Sequence, residues 1–154
     1  IQQNIALAKP DAGFDEISEA AKLADAHDFI QKLSSGYSTE VGERGANLSG
    51  GQRQFLAVAM ALSTYPDIIL MDEPSAGLAP KAAQEILELL RDLTNRGVSI
   101  LLIEQNVNQA LRLADYCYIL AEGRNQVDGK ASDLLNDSIV GEIYLGGKRL
   151  RVGA

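Results

Sequence analysis

The 154-residue sequence is poor in cysteine and histidine, with one of each, and it contains no tryptophan. The single cysteine, Cys117, excludes an internal disulfide, and its setting in YCYIL predicts a small buried hydrophobe in a reducing cytoplasm. No apolar run approaches the roughly 18–20 residues that span a bilayer. The opening IQQNIALAKP lacks the basic start and apolar stretch of a secretory signal. We therefore expect any membrane role to need a partner.

Positive charge is also scarce. Lys and Arg total 14 against 21 Asp and Glu, for a net charge of −7, whereas a nucleic-acid-binding surface needs a dense positive field. The apolar fraction of 46% and the length of 154 residues are those of one globular domain with its own core. These figures predict an ordinary folded protein that does not bind nucleic acid.

The front of the chain has helical periodicity. Apolar residues from Asp15 to Leu33 predict one helix, or two short helices broken near Ala26–His27. A polar loop follows to Asn47. A further helix is predicted over Ser49–Leu62, with Ser49 as its N-cap.

The middle of the chain predicts two buried parallel strands. The run Ile68–Met71 ends at the acid pair Asp72-Glu73, and Val98–Ile103 is the second strand. Between them Pro80 opens a helix that Gly97 ends. The alternation of strands and helices indicates an α/β layered core, with the helical first third as a separate lobe.

The last third predicts a helix, a hairpin and two short helices. The helix runs through Ala110, Leu111 and Ala114, the hairpin pairs Tyr116–Ala121 with Arg124–Val127, and the short helices lie around Ala131–Leu135 and Ser138–Leu145.

The run LSGGQ at Leu48–Gln52 carries the clearest chemical signal. Two glycines after a serine at a helix start expose backbone N–H groups, and the helix dipole and the hydroxyl favour a phosphate there. A glycine-rich N-cap without a ligand is the alternative for SGG alone. Here Gln52-Arg53-Gln54 follows directly, and an apolar strand ending in Asp-Glu lies about twenty residues on. Chance does not readily produce that combination.

LSGGQRQ followed by IILMDEP resembles the signature motif and Walker B motif of the ATP-binding-cassette (ABC) ATPases, and the resemblance covers nearly the whole chain. It implies a partial RecA-like (P-loop NTPase) α/β core without the Walker A strand, together with an N-terminal helical subdomain. Residues 1–64 would form the helical signature subdomain, and residues 65–154 the C-terminal half of the core.

The same resemblance assigns roles to individual residues. Leu48, Ser49, Gly50, Gly51 and Gln52 would contact ATP held by a facing chain. Asp72 would hold Mg²⁺, which needs hard oxygen ligands, and Glu73 would act as general base on the attacking water. A solvated turn is the alternative for this acid pair.

Two positions depart from the family pattern. Gln105 stands at the switch position, where a histidine usually contacts the γ-phosphate; an amide can donate a hydrogen bond but carries no charge. Leu78 closes the family's D-loop, Ser75–Leu78, where many members carry aspartate. That loop crosses the dimer interface in the family, and an ordinary glycine-containing turn is the alternative here.

The subfamily resemblance changes along the chain. Residues from Asn4 to about Gln54 resemble peptide or protein exporters, and residues from about Phe55 to Gly147, including DEPSAGLAP and the closing YLGG, resemble branched-chain amino acid or urea importer ATPases. A glutamine at the switch position is usual in that importer group. A natural protein that mixes these features and an engineered hybrid joined near Gln52–Phe55 both stay open.

No phosphate-binding loop of the form G-x-x-x-x-G-K-[ST] is present. Gly129-Lys130 and Gly147-Lys148 lack both the earlier glycine and the following Ser or Thr. The resemblance places the Walker A strand upstream of Ile1 and beside the Asp72 strand. We therefore expect little ATPase activity from this chain alone, and an open strand edge that favours dimerisation or strand exchange.

Taken with the resemblance, these features predict an ABC-type ATPase module that uses ATP and Mg²⁺. Its partners would be an ABC transmembrane subunit and a second nucleotide-binding domain, with homo-oligomers expected, in the cytoplasm at the inner membrane. Two alternatives remain: a catalytically incompetent designed or truncated α/β module that self-associates, and an unrelated doubly wound domain that uses Asp72 and Glu73 as a metal site.

Overall fold

The structure is a computed structural model that describes residues 1–135, 137, 140 and 141. Apart from Val140 and Gly141, the predicted helix around Ser138–Leu145 lies outside these residues, as do YLGG and Gly147-Lys148. The described elements, in chain order, are α1 (Gln2–Ile5), α2 (Phe14–Leu23), α3 (His27–Gln31), α4 (Gly50–Leu62), β1 (Ile68–Asp72), α5 (Pro80–Asn95), β2 (Ser99–Ile103), α6 (Val107–Leu113), β3 (Tyr116–Ala121), β4 (Arg124–Lys130) and α7 (Ala131–Leu134).

The chain packs as two compact units, the first comprising Ile1–Ile103 and the second beginning at Glu104. This division by packing is a separate matter from the family subdomains predicted for residues 1–64 and 65–154, whose boundary stays a prediction.

The front helices of the first unit confirm the two-helix alternative. Helix α2 ends at Leu23, and Asp25 between α2 and α3 has a left-handed backbone with φ +52°. Ala24 and Ala26 on either side of it are fully buried, which fixes the break against the core. Burial raises the pKa of the Asp25 carboxyl, and the nearby carboxylate of Asp92 raises it further.

Helix α4 packs against α1, α2 and α5, and the largest fully buried side chains of this unit are Ile5, Ile17, Ile30, Val58, Ile86, Leu90 and Leu93.

Strands β1 and β2 form a two-stranded parallel sheet. The register runs from Ile68 opposite Ser99 to Asp72 opposite Ile103, which confirms the predicted parallel pairing. Helix α5, opened by Pro80 as predicted, contacts β2. Because side chains alternate across a strand, the covered face carries the buried Ile69 and the half-buried Met71, Ile100 and Leu102.

The prediction of fully buried strands is wrong for the opposite face of this sheet. Ile68, Leu70, Leu101 and Ile103 are 55%, 72%, 55% and 58% exposed. In the described part of the first unit, helices cover only one side of the sheet. An all-apolar strand is typical of a sheet that is covered on both sides, but the described residues leave this side uncovered. We call the apolar surface formed by these four residues the open sheet face.

The second unit is built on the predicted hairpin. Strand β4 extends to Lys130, three residues beyond the predicted end, and pairs antiparallel with β3 around a bulge between Ile119 and Leu120. One face packs onto a core of Leu111, Ile119, Ala131, Leu134 and Val140. Cys117 packs against this core but is only half-buried, less than the buried hydrophobe that the sequence predicted, and burial raises the pKa of its thiol.

Candidate functional site

The N-terminus of α4 is fixed by a reciprocal capping box. The Ser49 Oγ accepts a hydrogen bond from the Gln52 backbone N–H at 3.2 Å, and the Gln52 Oε1 accepts one from the Ser49 N–H at 2.9 Å. This confirms Ser49 as the N-cap. The arrangement uses the Gln52 side chain for capping, while the Ser49 hydroxyl keeps a hydrogen that it can donate.

The two glycines of the signature run occupy the first two helical positions of α4. Backbone N–H groups at these positions have no carbonyl within the helix to bond, and the helix dipole makes this end favourable for an anion. Leu48, just before the cap, is buried, and its N–H donates to the Gly45 carbonyl at 2.9 Å. Leu48 therefore anchors the loop, and Ser49, Gly50 and Gly51 present the polar groups.

Arg53 supports this loop, a role that the sequence analysis missed. Its Nη1 donates to the Leu48 carbonyl oxygen at 2.9 Å and lies 3.5 Å from the Gly45 carbonyl oxygen. Gly45 has φ +74°, and a Cβ built there would lie 2.6 Å from Arg53 Cδ. A glycine eight residues before an arginine is a weak signal in a sequence, because the turn that joins them is visible only in three dimensions.

The acid pair lies where the sequence predicts, at the carboxyl end of β1. Asp72 is the last residue of the strand and is exposed. The N–H of Glu73 donates to the Ile103 carbonyl at 2.8 Å, which extends the ladder by one bond, and the Glu73 carbonyl accepts from the Ala76 N–H at 3.0 Å.

Glu73 adopts a left-handed backbone, with φ +46°. This conformation disfavours a side-chain-bearing residue; Asp25, Arg44, Tyr65 and Glu122 share it, and Glu73 is the one of these that lies beside the candidate site. No sequence pattern predicted it, because Asp-Glu-Pro is also compatible with an ordinary turn.

The donor set at the strand end fits Mg²⁺ that is bound mainly through phosphate and water. Among residues 1–135, 137, 140 and 141, no group of three or more His, Cys, Asp or Glu side chains gathers into a metal site. Mg²⁺ at nucleotide sites needs only one or two carboxylates beside phosphate oxygens and waters. The exposed carboxylate of Asp72 suits that arrangement.

Gln105 belongs to the second unit. It is exposed on the segment between β2 and α6, and its N–H donates to the Glu104 Oε1 at 3.1 Å. Asn106 caps α6, since its Oδ1 accepts from the Gln109 N–H at 3.2 Å. The signature run and the acid pair lie in the first unit, so joint action of these residues with Gln105 stays a prediction.

The single histidine packs against a tyrosine ring. The Nδ1 of His27 lies 2.8 Å from the Tyr37 hydroxyl oxygen. Burial raises the pKa of that hydroxyl, an effect that a hydrogen bond with Ser18 opposes.

Comparisons with known proteins identify the family of this chain. The family model for ABC transporters matches residues 1–76, which include the signature run and the acid pair. The chain belongs to the ABC transporter ATP-binding domains. This ABC chain is 45% identical over 105 residues to the high-affinity branched-chain amino acid transport ATP-binding protein BraG of Pseudomonas aeruginosa, a match that covers 68% of the chain and 45% of BraG.

Exporter relatives match over a longer part of the ABC chain. The leukotoxin translocation ATP-binding protein LktB of Mannheimia glucosida is 38% identical over 138 residues, which is 90% of the chain and 19% of LktB. A bacterial Atm1-family ABC exporter solved with ATP bound superimposes with a TM-score of 0.78 at 32% identity, over 99% of the chain and 26% of that protein. The predicted α/β class and partial P-loop NTPase fold are thus confirmed.

The ABC chain spans less than half the length of these relatives. Relatives of both importer and exporter type match, as the two resemblances predicted, and the position where they change over stays a prediction. In the part of the chain that the structure describes, no helix has the length and apolar character to cross a membrane.

Proposed function

We propose that this chain is an ABC-type ATPase module that contributes its LSGGQ signature and Walker B acids to an ATP site that powers membrane transport. The observation that carries the proposal is the α4 N-terminus, where Ser49 caps a 13-residue helix that begins with two glycines. A helix start whose first amides have no partner within the helix, beside a hydroxyl, is a ready anion site, and the anion proposed here is ATP, which the ABC family uses.

Each candidate residue has a defined task in this proposal. The Ser49 hydroxyl and the N–H groups of Gly50 and Gly51 hydrogen-bond the γ-phosphate, with Leu48 and Gln52 holding the loop and the cap. The Asp72 carboxylate is the ligand available to Mg²⁺, which neutralises phosphate charge when bound. Glu73 accepts the proton of the attacking water, and Gln105 donates an amide hydrogen bond to the phosphate.

In this proposal the LSGGQ signature acts on a triphosphate that a facing nucleotide-binding domain holds. The lysine-bearing glycine loop that grips β- and γ-phosphates is not in this sequence. The partners in this proposal are therefore a second nucleotide-binding domain with that loop and an ABC transmembrane subunit, and the chain acts in the cytoplasm at the inner membrane.

A reconstitution experiment tests this directly. The second component is an ABC ATP-binding subunit that keeps its phosphate loop but has its own signature serine replaced. We expect Mg-dependent ATP hydrolysis on mixing it with this chain, and a loss of roughly tenfold or more with Ser49→Ala, because phosphate-contacting donors have effects of this order. Ser132→Ala, an exposed serine in the second unit, is the matched control and should leave the rate unchanged. No hydrolysis above that of the partner alone would contradict the proposal.

The open sheet face favours a second candidate function, a self-associating module without catalysis. Four apolar side chains more than half exposed on one face are a typical interaction surface. The two functions differ in their response to nucleotide. If Mg-ATP leaves the melting temperature unchanged both alone and with the partner subunit, and the chain dimerises, the second candidate is correct.

A further inference from the structure

The first turn of α4 lies against the segment that follows the acid pair. A methyl group built on Gly50 would lie 3.1 Å from Leu78 Cδ2, and one built on Gly51 would lie 3.1 Å from Ala82 Cβ. Both separations are tighter than an ordinary carbon–carbon contact of about 3.5–4.0 Å. Leu78 precedes α5 and Ala82 is in its first turn. At this point the backbone of α4 therefore lies against side chains at the start of α5.

Backbone conformation does not require glycine at these two positions. Gly50 and Gly51 are the first two residues of α4, and neither has the positive φ seen at Gly45 or Gly77. Alanine is the better helix former at such positions. The close approach of Leu78 and Ala82 is therefore a reason for glycine that is independent of any phosphate.

We propose that Leu78 and Ala82 are positioning residues that hold the signature helix within the same chain. The Leu78 side chain occupies the space that a side chain at Gly50 would need, and the Ala82 side chain occupies the space that a side chain at Gly51 would need. The first-turn amides of α4 are then held in a fixed position relative to the segment between Glu73 and α5. Leu78, which departs from the family's common aspartate, acquires a packing role that a charged side chain would not fill. The distances alone support the packing, whereas any effect of these two residues on ATP hydrolysis rests on the proposed function.

Double-mutant cycles test the packing without nucleotide. Gly50→Ala should lower the melting temperature of the unaltered chain, but it should be neutral or stabilising in a Leu78→Ala background, where the next atom, Arg53 Nη2, is 3.9 Å away. Gly51→Ala should likewise be rescued by Ala82→Gly, since the next atom there, Phe55 Cε2, is 4.0 Å away.

Gly13→Ala is the matched control. It also sits at a helix start, but its nearest neighbour, Glu16 Oε2, is 3.9 Å away. Its effect should therefore be the same in the unaltered chain and in the Leu78→Ala background. The proposal is overturned if Gly50→Ala lowers the melting temperature equally in both backgrounds. Should Leu78→Ala fail to fold, Leu78→Val shortens the same side chain by less and the cycle is run on that variant.

Hydrogen exchange of the α4 amides separates positioning from general stability. Leu78→Ala should speed exchange at Gln52 and Arg53, the first hydrogen-bonded amides of α4, by roughly tenfold relative to the core of α5, because the first turn loses the packing that Leu78 gives it. Leu78→Met should restore slow exchange. Equal acceleration throughout the first unit would mean that Leu78 is merely structural and would overturn the proposal. If the double-mutant cycles show coupling between Gly50 and Leu78 but the reconstituted mixture shows no ATP hydrolysis, the packing proposal is correct and the proposed function is wrong.

Discussion

Neighbouring residues of β1 should differ sharply in their contribution to stability. Ile69 is 5% exposed on the covered face of the sheet, whereas Leu70 is 72% exposed on the open sheet face. Truncation of a buried Ile or Leu to alanine costs about 2–5 kcal/mol. Full burial of a leucine contributes about 1.5–3 kcal/mol, so a side chain that is about a quarter buried contributes roughly 0.5 kcal/mol by the same scale.

Urea unfolding at a few micromolar protein measures this difference. Ile69→Ala should lower the free energy of unfolding by about 2–4 kcal/mol, and Leu70→Ala by roughly 0.5 kcal/mol. If Leu70→Ala costs as much as Ile69→Ala in this dilute sample, the open sheet face is covered within one chain, and the reasoning is refuted.

The same face sets the strength of self-association. Burial of its four residues would contribute about 8–12 kcal/mol over two copies, and association costs about 4–15 kcal/mol. A dimer through this face should therefore be no tighter than roughly micromolar. The net charge of −7 on each copy opposes it, so added salt should favour the dimer. Sedimentation should show Leu70→Gln to be more monomeric at high concentration.

Three further changes have defined outcomes. Ser49→Ala removes the capping-box acceptor and should lower the free energy of unfolding by about 1 kcal/mol in thermal melts; an unchanged melt would contradict the cap. Glu73→Gly should be about 1 kcal/mol more stable than Glu73→Ala, because only glycine relieves the left-handed backbone; the reverse order would refute strain there. Asp25→Asn should raise the melting temperature at pH 7 by roughly 1 °C. The folded pKa of Asp25 is raised, so the ionised form costs stability above that pKa, and the gain should vanish below pH 3.8, the carboxyl's ordinary value; a gain that persists there would contradict it.

Local patterns predicted the elements of this fold well. The Ser49 cap, the helix opened by Pro80 and the strand that ends at Asp72 follow from capping chemistry and from short apolar runs, which act over a few residues. The break at Asp25 was left open by the sequence, because two buried alanines are compatible with either a continuous helix or two short ones.

The exposure of the sheet could not be predicted in the same way. Apolar residues at every position of β1 indicate cover on both faces, and only the three-dimensional arrangement shows that Leu70 is bare. At the candidate site, the types and order of Ser49, Asp72 and Glu73 were visible in the sequence. The left-handed backbone of Glu73 and the contact between Gly50 and Leu78 depend on residues far apart in the chain and had no sequence signal.

The most direct test of the account is Mg-dependent ATP hydrolysis by the purified chain without a partner. The proposed function gives these 154 residues the signature serine and the water-activating acid, and the phosphate-binding loop that holds the triphosphate is not among them. It predicts a rate for the unaltered chain equal to that of Glu73→Gln. Steady turnover by the chain alone that Glu73→Gln abolishes would contradict it.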